Sequence, residues 1–219
     1  MSPRPEWRNI ETVLLDLDGT LLDLHFDNHF WLHHVPLRYA DKHKLTPAEA
    51  NAALMAQYTR AKGSLDWYCI DFWSRELELD IEQLKHEVAE KIAVHPSVPE
   101  FLAALRAAEK RIVLVTNAHP ASLRIKMHKT GLDAYFDRMI NAHDIGMAKE
   151  QAGFWQKLHN VEPFTKTSTL LIDDNLEVLR CAEAYGIEYL LAVHQPDSQK
   201  AHMETQHFPA VKDFSEIMP

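Results

Sequence analysis

Residues 12–21 read TVLLDLDGTL, and the fold follows from this stretch. Residues 12–17 are almost continuously apolar, as a parallel strand buried on both faces requires. The run then breaks on a carboxylate and a flexible residue, Asp18-Gly19-Thr20. Similar runs recur downstream. RIVLV at 111–115 stops at Thr116-Asn117, and TLLI at 169–172 stops at Asp173-Asp174-Asn175. IEYLLAV at 187–193 closes the series, with 138–141 as a shorter candidate. Helical patterns separate them: 120–130 ends at Gly131 and 176–185 ends at Gly186, both suited to a C-cap. Strands alternating with helices predict an α/β fold with a doubly wound, Rossmann-like parallel sheet and a site at the strands' carboxyl ends.

Between the first two strands lies a stretch that reads as helix throughout. Thr46-Pro47-Ala48-Glu49 is a capping box with proline at the first helical position. The helix it opens keeps Ala50, Leu54, Tyr58 and Ala61 on one side. Residues 66–79 predict another amphipathic helix, 80–83 cap a third, and 26–40 add a fourth. A simple crossover needs far less chain. The expected organisation is therefore an α/β core of residues 1–22 and 96–219 with an inserted helical cap of 23–95. Ser97 to Glu100 reads as a second capping box where the chain returns to the core.

Bulk properties narrow the function. A chain of 219 residues, 46% hydrophobic and 25% charged, has the composition of an ordinary globular protein with room for a core. A net charge of −9 without any basic run argues against nucleic-acid polymers as partners. No window is long and apolar enough to cross a bilayer, and the N-terminal residues contain no signal-peptide pattern. Cys69 and Cys181 sit in apolar helical patterns, as expected of buried thiols in a reducing compartment. A cytoplasmic location is the expectation, with no membrane partner. Oligomeric state is not legible.

The chemistry begins with paired acids. Asp16 and Asp18 end one strand, and Asp173 and Asp174 end another. Neighbouring carboxylates repel unless a cation neutralises them or one takes a proton. A hard cation such as Mg²⁺ prefers oxygen ligands and leaves room for a substrate phosphate. A lone Asp after a strand is usually a turn residue or a cap. Two acidic pairs at two strand ends are not explained that way.

Asp16-Leu17-Asp18-Gly19-Thr20-Leu21 resembles the first motif of haloacid-dehalogenase-like phosphatases. Thr116 resembles their second motif, Lys149 their third, and Asp173-Asp174 their fourth, in the same order along the whole chain. The resemblance implies Mg²⁺ as cofactor and a phosphomonoester as small-molecule substrate. Asp16 would be the nucleophile and Asp18 the general acid and base. Metal ligands would be Asp16, the Asp18 backbone carbonyl and Asp174, with Asp173 helping directly or through water. Thr116, Asn117 and Lys149 would hold the phosphate. Dehalogenases of the superfamily lack the second Asp of the motif, so the presence of Asp18 implies a leaving group that needs a proton.

Two aromatic segments, FDNHFW at 26–31 and WYCIDFW at 67–73, have two readings. One is helix packing; the other is a stacking surface for a planar base, with Asn28, Trp31, Trp67 and Asp71 choosing the substrate. These segments and TNAHP at 116–120 are similar to bacterial purine 5′-nucleotidases active on GMP and IMP. Sugar phosphatases and phosphotransferases of the same superfamily, a receiver-type signalling domain and a catalytically silent relative are the alternatives. His29 and His33 could share a helix face, but no third zinc ligand has suitable spacing. His119, at a strand end, could approach substrate.

Overall fold

The computed structural model describes residues 5–219; residues 1–4, assigned above to the first core segment, lie outside the described residues. Six parallel strands form one sheet in the order β3-β2-β1-β4-β5-β6. They are β1 (Thr12–Leu15), β2 (Arg111–Thr116), β3 (Arg138–Asn141), β4 (Thr169–Asp173), β5 (Tyr189–Val193) and β6 (Ala210–Val211). β1 is central, with Leu14 registered against Val113 on one side and Leu171 on the other. The chain runs outward from β1 through β2 to β3, then crosses back to β4. That reversal opens a crevice at the carboxyl ends of β1 and β4, where doubly wound folds bind ligands.

Both sheet faces are covered, which accounts for the uninterrupted apolar strands. Val13 and Leu15 point into one buried cluster, while Leu14 points into the other with Val113, Leu171 and Phe154. β6 was not expected; its two residues, one half-buried, are too few to show a period.

Helices fill the connection from β1 to β2. α1 (His25–His29) and α2 (Val35–His43) are joined without a break by a π-helical turn at Phe30–His34. α3 (Pro47–Ala61) begins with the expected capping box, Thr46 Oγ1 accepting from the Glu49 N–H and Glu49 Oε2 from the Thr46 N–H. α4 (Ile70–Leu77) and α5 (Ile81–Glu87) complete the group, and Asp80 caps α5 through the Gln83 N–H. Leu54, Tyr58, Trp73 and Leu77 of these helices belong to the same buried cluster as Val13 and Leu15.

The remaining helices are α6 (Val98–Ala107), α7 (Pro120–Thr130), α8 (Ala142–Ile145), α9 (Phe154–Val161) and α10 (Leu176–Tyr185). α7 and α10 end at left-handed Gly131 and Gly186, as anticipated. Some details differ from expectation. Residues 66–79 are not one helix: a 3-10 turn at Leu65–Tyr68 stops, Cys69 is extended, and its sulfur caps α4. Ser97 has φ 62° and makes no side-chain cap, so the second capping box does not form. Both cysteines are free and only half-buried. Among the described residues no helix is long and apolar enough to cross a membrane.

Candidate active site

Three strand ends and the loop before α9 converge on a cavity of about 400 Å³. Asp16 follows β1, Thr116 ends β2, and Asp173 ends β4 with Asp174 after it; all line the cavity with Asp18 and Lys149. Lys149 lies five residues before the first residue of α9, in a turn whose shape Asn117 fixes. The Asn117 Oδ1 accepts from the Lys149 N–H at 2.9 Å, and its Nδ2 donates to Glu150 Oε2 at 2.9 Å.

The Lys149 ammonium is fully engaged. It donates to Asp16 Oδ1 at 2.5 Å, Asp173 Oδ2 at 2.6 Å and the Val115 carbonyl at 3.1 Å, and is only 2% exposed. Burial works against its charge, but Asp16 and Asp173 more than offset it and raise its pKa. Asp173 is engaged on its other oxygen too, accepting from the Asn175 N–H at 2.9 Å. Among the described residues Asp174 has no such partner. Burial, then Asp16 and Asp173, push its carboxyl well above the ordinary range. Burial, opposed by Lys149 and reinforced by Asp173, also lifts Asp16 to about 6.

Oxygens of Asp16, Asp173 and Asp174 lie within 4.8 Å of one another, so three carboxylates share one ammonium. That set is short of positive charge and rich in hard oxygen ligands, which fits a divalent cation such as Mg²⁺. The close approach depends on Gly19. It has φ +86°, and a Cβ there would stand 2.5 Å from Asp174 Oδ2. Only glycine accepts both the backbone turn and the neighbour.

Asp18 is held apart from this cluster. Its Oδ1 is 2.6 Å from Lys126 Nζ, a cation that also donates to Asp27 Oδ2 at 2.6 Å. Burial raises Asp18 to about 6 although Lys126 opposes it. The Thr116 hydroxyl accepts from the Ala118 N–H at 3.0 Å and keeps its proton for a ligand oxygen. The Asn117 side chain is committed to the Lys149 turn, so only its backbone N–H remains for a phosphate.

The cavity's outer wall carries Asn28, Trp31, Tyr58, Trp67 and Tyr68. Trp31 and Trp67 are half-buried and both meet Tyr58 edge to face, at 5.9 and 5.7 Å between centroids. The two tryptophans therefore pack against Tyr58 and also line the cavity. Asn28 donates to Asp197 Oδ2 at 2.6 Å, leaving its own carbonyl oxygen as an acceptor. Asp71 is a correction: its side chain is 82% exposed and does not line the cavity, because Ile70 takes the inward position at the start of α4.

Sequence reasoning passed over Lys126, Lys85, Asp27 and Tyr68, which also line the cavity. A signal existed for the two lysines. Lys126 follows Ser122 by one helical turn, and Lys85 follows Ile81, each on the buried face of its helix. His119 does reach the cavity, and its nitrogen lies near Cys69 and His143. Its Nδ1 accepts from the Ala121 N–H, which leaves Nε2 protonated and facing Asp71 at 3.5 Å. That ring offers a metal no free lone pair without losing the cap of α7.

Comparison with known proteins agrees with this geometry. Residues 10–186 match the haloacid dehalogenase-like hydrolase family. The chain is 39% identical over 213 residues to the GMP/IMP nucleotidase YrfG of Escherichia coli (strain K12), covering 97% of this chain and 96% of that one. The Shigella flexneri protein of the same name gives the same figures. Among solved structures, a HAD phosphatase from Thermococcus onnurineus superposes with a TM-score of 0.78 at 20% identity, covering 94% of this chain and 95% of that one.

Proposed function

This chain belongs to the haloacid dehalogenase-like hydrolases, and on that footing we propose that it is a Mg²⁺-dependent phosphatase of purine nucleoside 5′-monophosphates. Asp16, backed by Lys149, is the nucleophile. The observation that carries this reading is the charge pattern: three clustered carboxylates share a single buried ammonium, and a separate carboxyl, Asp18, stands beside them.

In the first half-reaction an Asp16 oxygen bonds to phosphorus as the phosphorus–ester oxygen bond breaks. Asp18 gives its proton to that ester oxygen, so the nucleoside leaves as a neutral alcohol. In the second, water attacks phosphorus, Asp18 takes the water's proton, and inorganic phosphate leaves with Asp16 restored. Lys149 holds the Asp16 carboxyl in place and offsets charge gathering on the phosphoryl oxygens. The Thr116 hydroxyl and the N–H groups after it bind those oxygens. Asp16, Asp174 and the Asp18 carbonyl would hold Mg²⁺, which would supply the missing positive charge. Asp173 orients Lys149 and the loop to Asn175, which leaves Asp174 as the freer ligand.

Residues 23–95 act as the cap over a core of 1–22 and 96–219. Their tryptophans give a purine a stacking wall. The free Asn28 carbonyl oxygen suits the N1–H of guanine or hypoxanthine and repels the unprotonated N1 of adenine.

A phosphomonoester panel with Mg²⁺ tests the reading. GMP and IMP are expected to exceed AMP, pyrimidine nucleotides and sugar phosphates by at least about tenfold in kcat/KM, about 1.4 kcal/mol of differential transition-state binding. A higher rate on sugar phosphates would reject the nucleotide assignment. Phosphate release that survives metal chelation would reject the metal.

A further inference from the structure

Two buried lysines take no part in the scheme above. Lys126 comes from α7 and Lys85 from α5, and both close on Asp27 of α1. Lys126 Nζ lies 2.6 Å from Asp27 Oδ2, and Lys85 Nζ lies 2.9 Å from Asp27 Oδ1. Lys85 also sits over the Phe30 ring at 4.4 Å. Their ammoniums are almost entirely out of solvent. Buried cations are costly unless matched. Two ammoniums against Asp27 alone leave one positive charge over, and the carboxylate that faces it is Asp18, at 2.6 Å from Lys126.

Asp18 needs such a partner. A proton donor must present one oxygen to the ester oxygen within hydrogen-bond reach, and the terminal torsion of an aspartate is broad and soft. Among the described residues, Lys126 makes the one polar side-chain contact to the Asp18 carboxyl. The ammonium stands 2.6 Å from Oδ1 and holds that oxygen by charge. Lys126 in turn cannot swing away, because Asp27 holds it and Lys85 holds Asp27.

We propose that Lys126 is the positioning residue for Asp18, aiming its carboxyl at the leaving oxygen, and that Asp27 and Lys85 fix it in that pose from the inserted helices. The inserted helices then help to align the proton donor as well as roofing the cavity. This rests on the reading of Asp18 as general acid.

The test separates leaving groups. Lys126→Met keeps the chain's length and apolar stem but removes the charge. First-turnover release is measured by rapid quench on two substrates: GMP, whose alcohol must be protonated, and p-nitrophenyl phosphate, whose phenolate leaves without a proton. In Lys126→Met, nucleoside release from GMP is expected to slow on the order of 10²-fold, while p-nitrophenolate release slows by less than about threefold. Lys126→Gln, which keeps a donor toward Asp27 and is the variant expected to fold if Lys126→Met does not, shows the same split. Equal slowing on both substrates, or none on GMP, overturns the proposal and leaves the phosphatase reading intact. A wild-type enzyme that releases neither product overturns both.

Discussion

Asp16→Asn is expected to fold normally and to lose roughly 10⁴-fold or more of its turnover. The fold is expected to survive because the amide is the same size and its oxygen still accepts from Lys149, the donor 2.5 Å away in the wild type. The Asp16 N–H also stays bonded to the Ile172 carbonyl, so the strand end keeps its place. Chemistry is not expected to survive, since a neutral amide oxygen is a weak nucleophile toward phosphorus and one negative charge of the carboxylate cluster has gone. Phosphate release from GMP under saturating Mg²⁺, read beside the thermal unfolding curve, checks both halves. Activity within about tenfold of wild type would move the nucleophile to another residue.

Lys149→Met is expected to damage stability as well as rate. The wild-type ammonium has all three of its protons in hydrogen bonds to buried oxygens. Removing it leaves Asp16 and Asp173 desolvated and unpaired beside Asp174, which costs about 3–5 kcal/mol at neutral pH. The loss depends on pH in a defined direction. Asp16 already titrates near 6 in the fold, above its ordinary 3.8, and without Lys149 it moves higher still. A carboxyl whose folded pKa is raised adds stability below the unfolded pKa and loses it as pH rises through the folded value. The variant is therefore expected to be closest to wild type near about pH 4–5 and furthest from it near about pH 8. Denaturant unfolding at the two pH values measures the difference. A penalty that shrinks toward alkaline pH would show that Lys149 does not carry these carboxylates.

Much of this architecture is legible in the chain because parallel strands buried on both faces leave a plain mark. TVLL, RIVLV and TLLI are apolar without alternation, and each stops at a residue that reaches the cavity. The cluster of Asp16, Asp173 and Asp174 could be anticipated for the same reason, since topology puts strand ends together. β6 could not be foreseen, as a two-residue strand has no pattern to read. Ser97 fails as a cap because its backbone is left-handed, a property of the incoming turn and not of the residue type. Asp71 misled for a geometric reason: Cys69 breaks the helix expected at 66–79, which shifts the face that Ile70 and Asp71 present. Lys126 and Lys85 were passed over because a lysine is usually solvated. Their place on buried helix faces was visible, but the Asp27 that pairs with both comes from a third helix.

Transient phosphorylation of one carboxylate distinguishes this scheme from direct attack by water. The measurement is an acid quench of the enzyme during turnover of labelled GMP, followed by mapping of the labelled peptide. The label is expected on Asp16, absent from Asp18, and gone after a chase with unlabelled substrate. Turnover that proceeds with no labelled enzyme, or a label on any other side chain, would contradict the account.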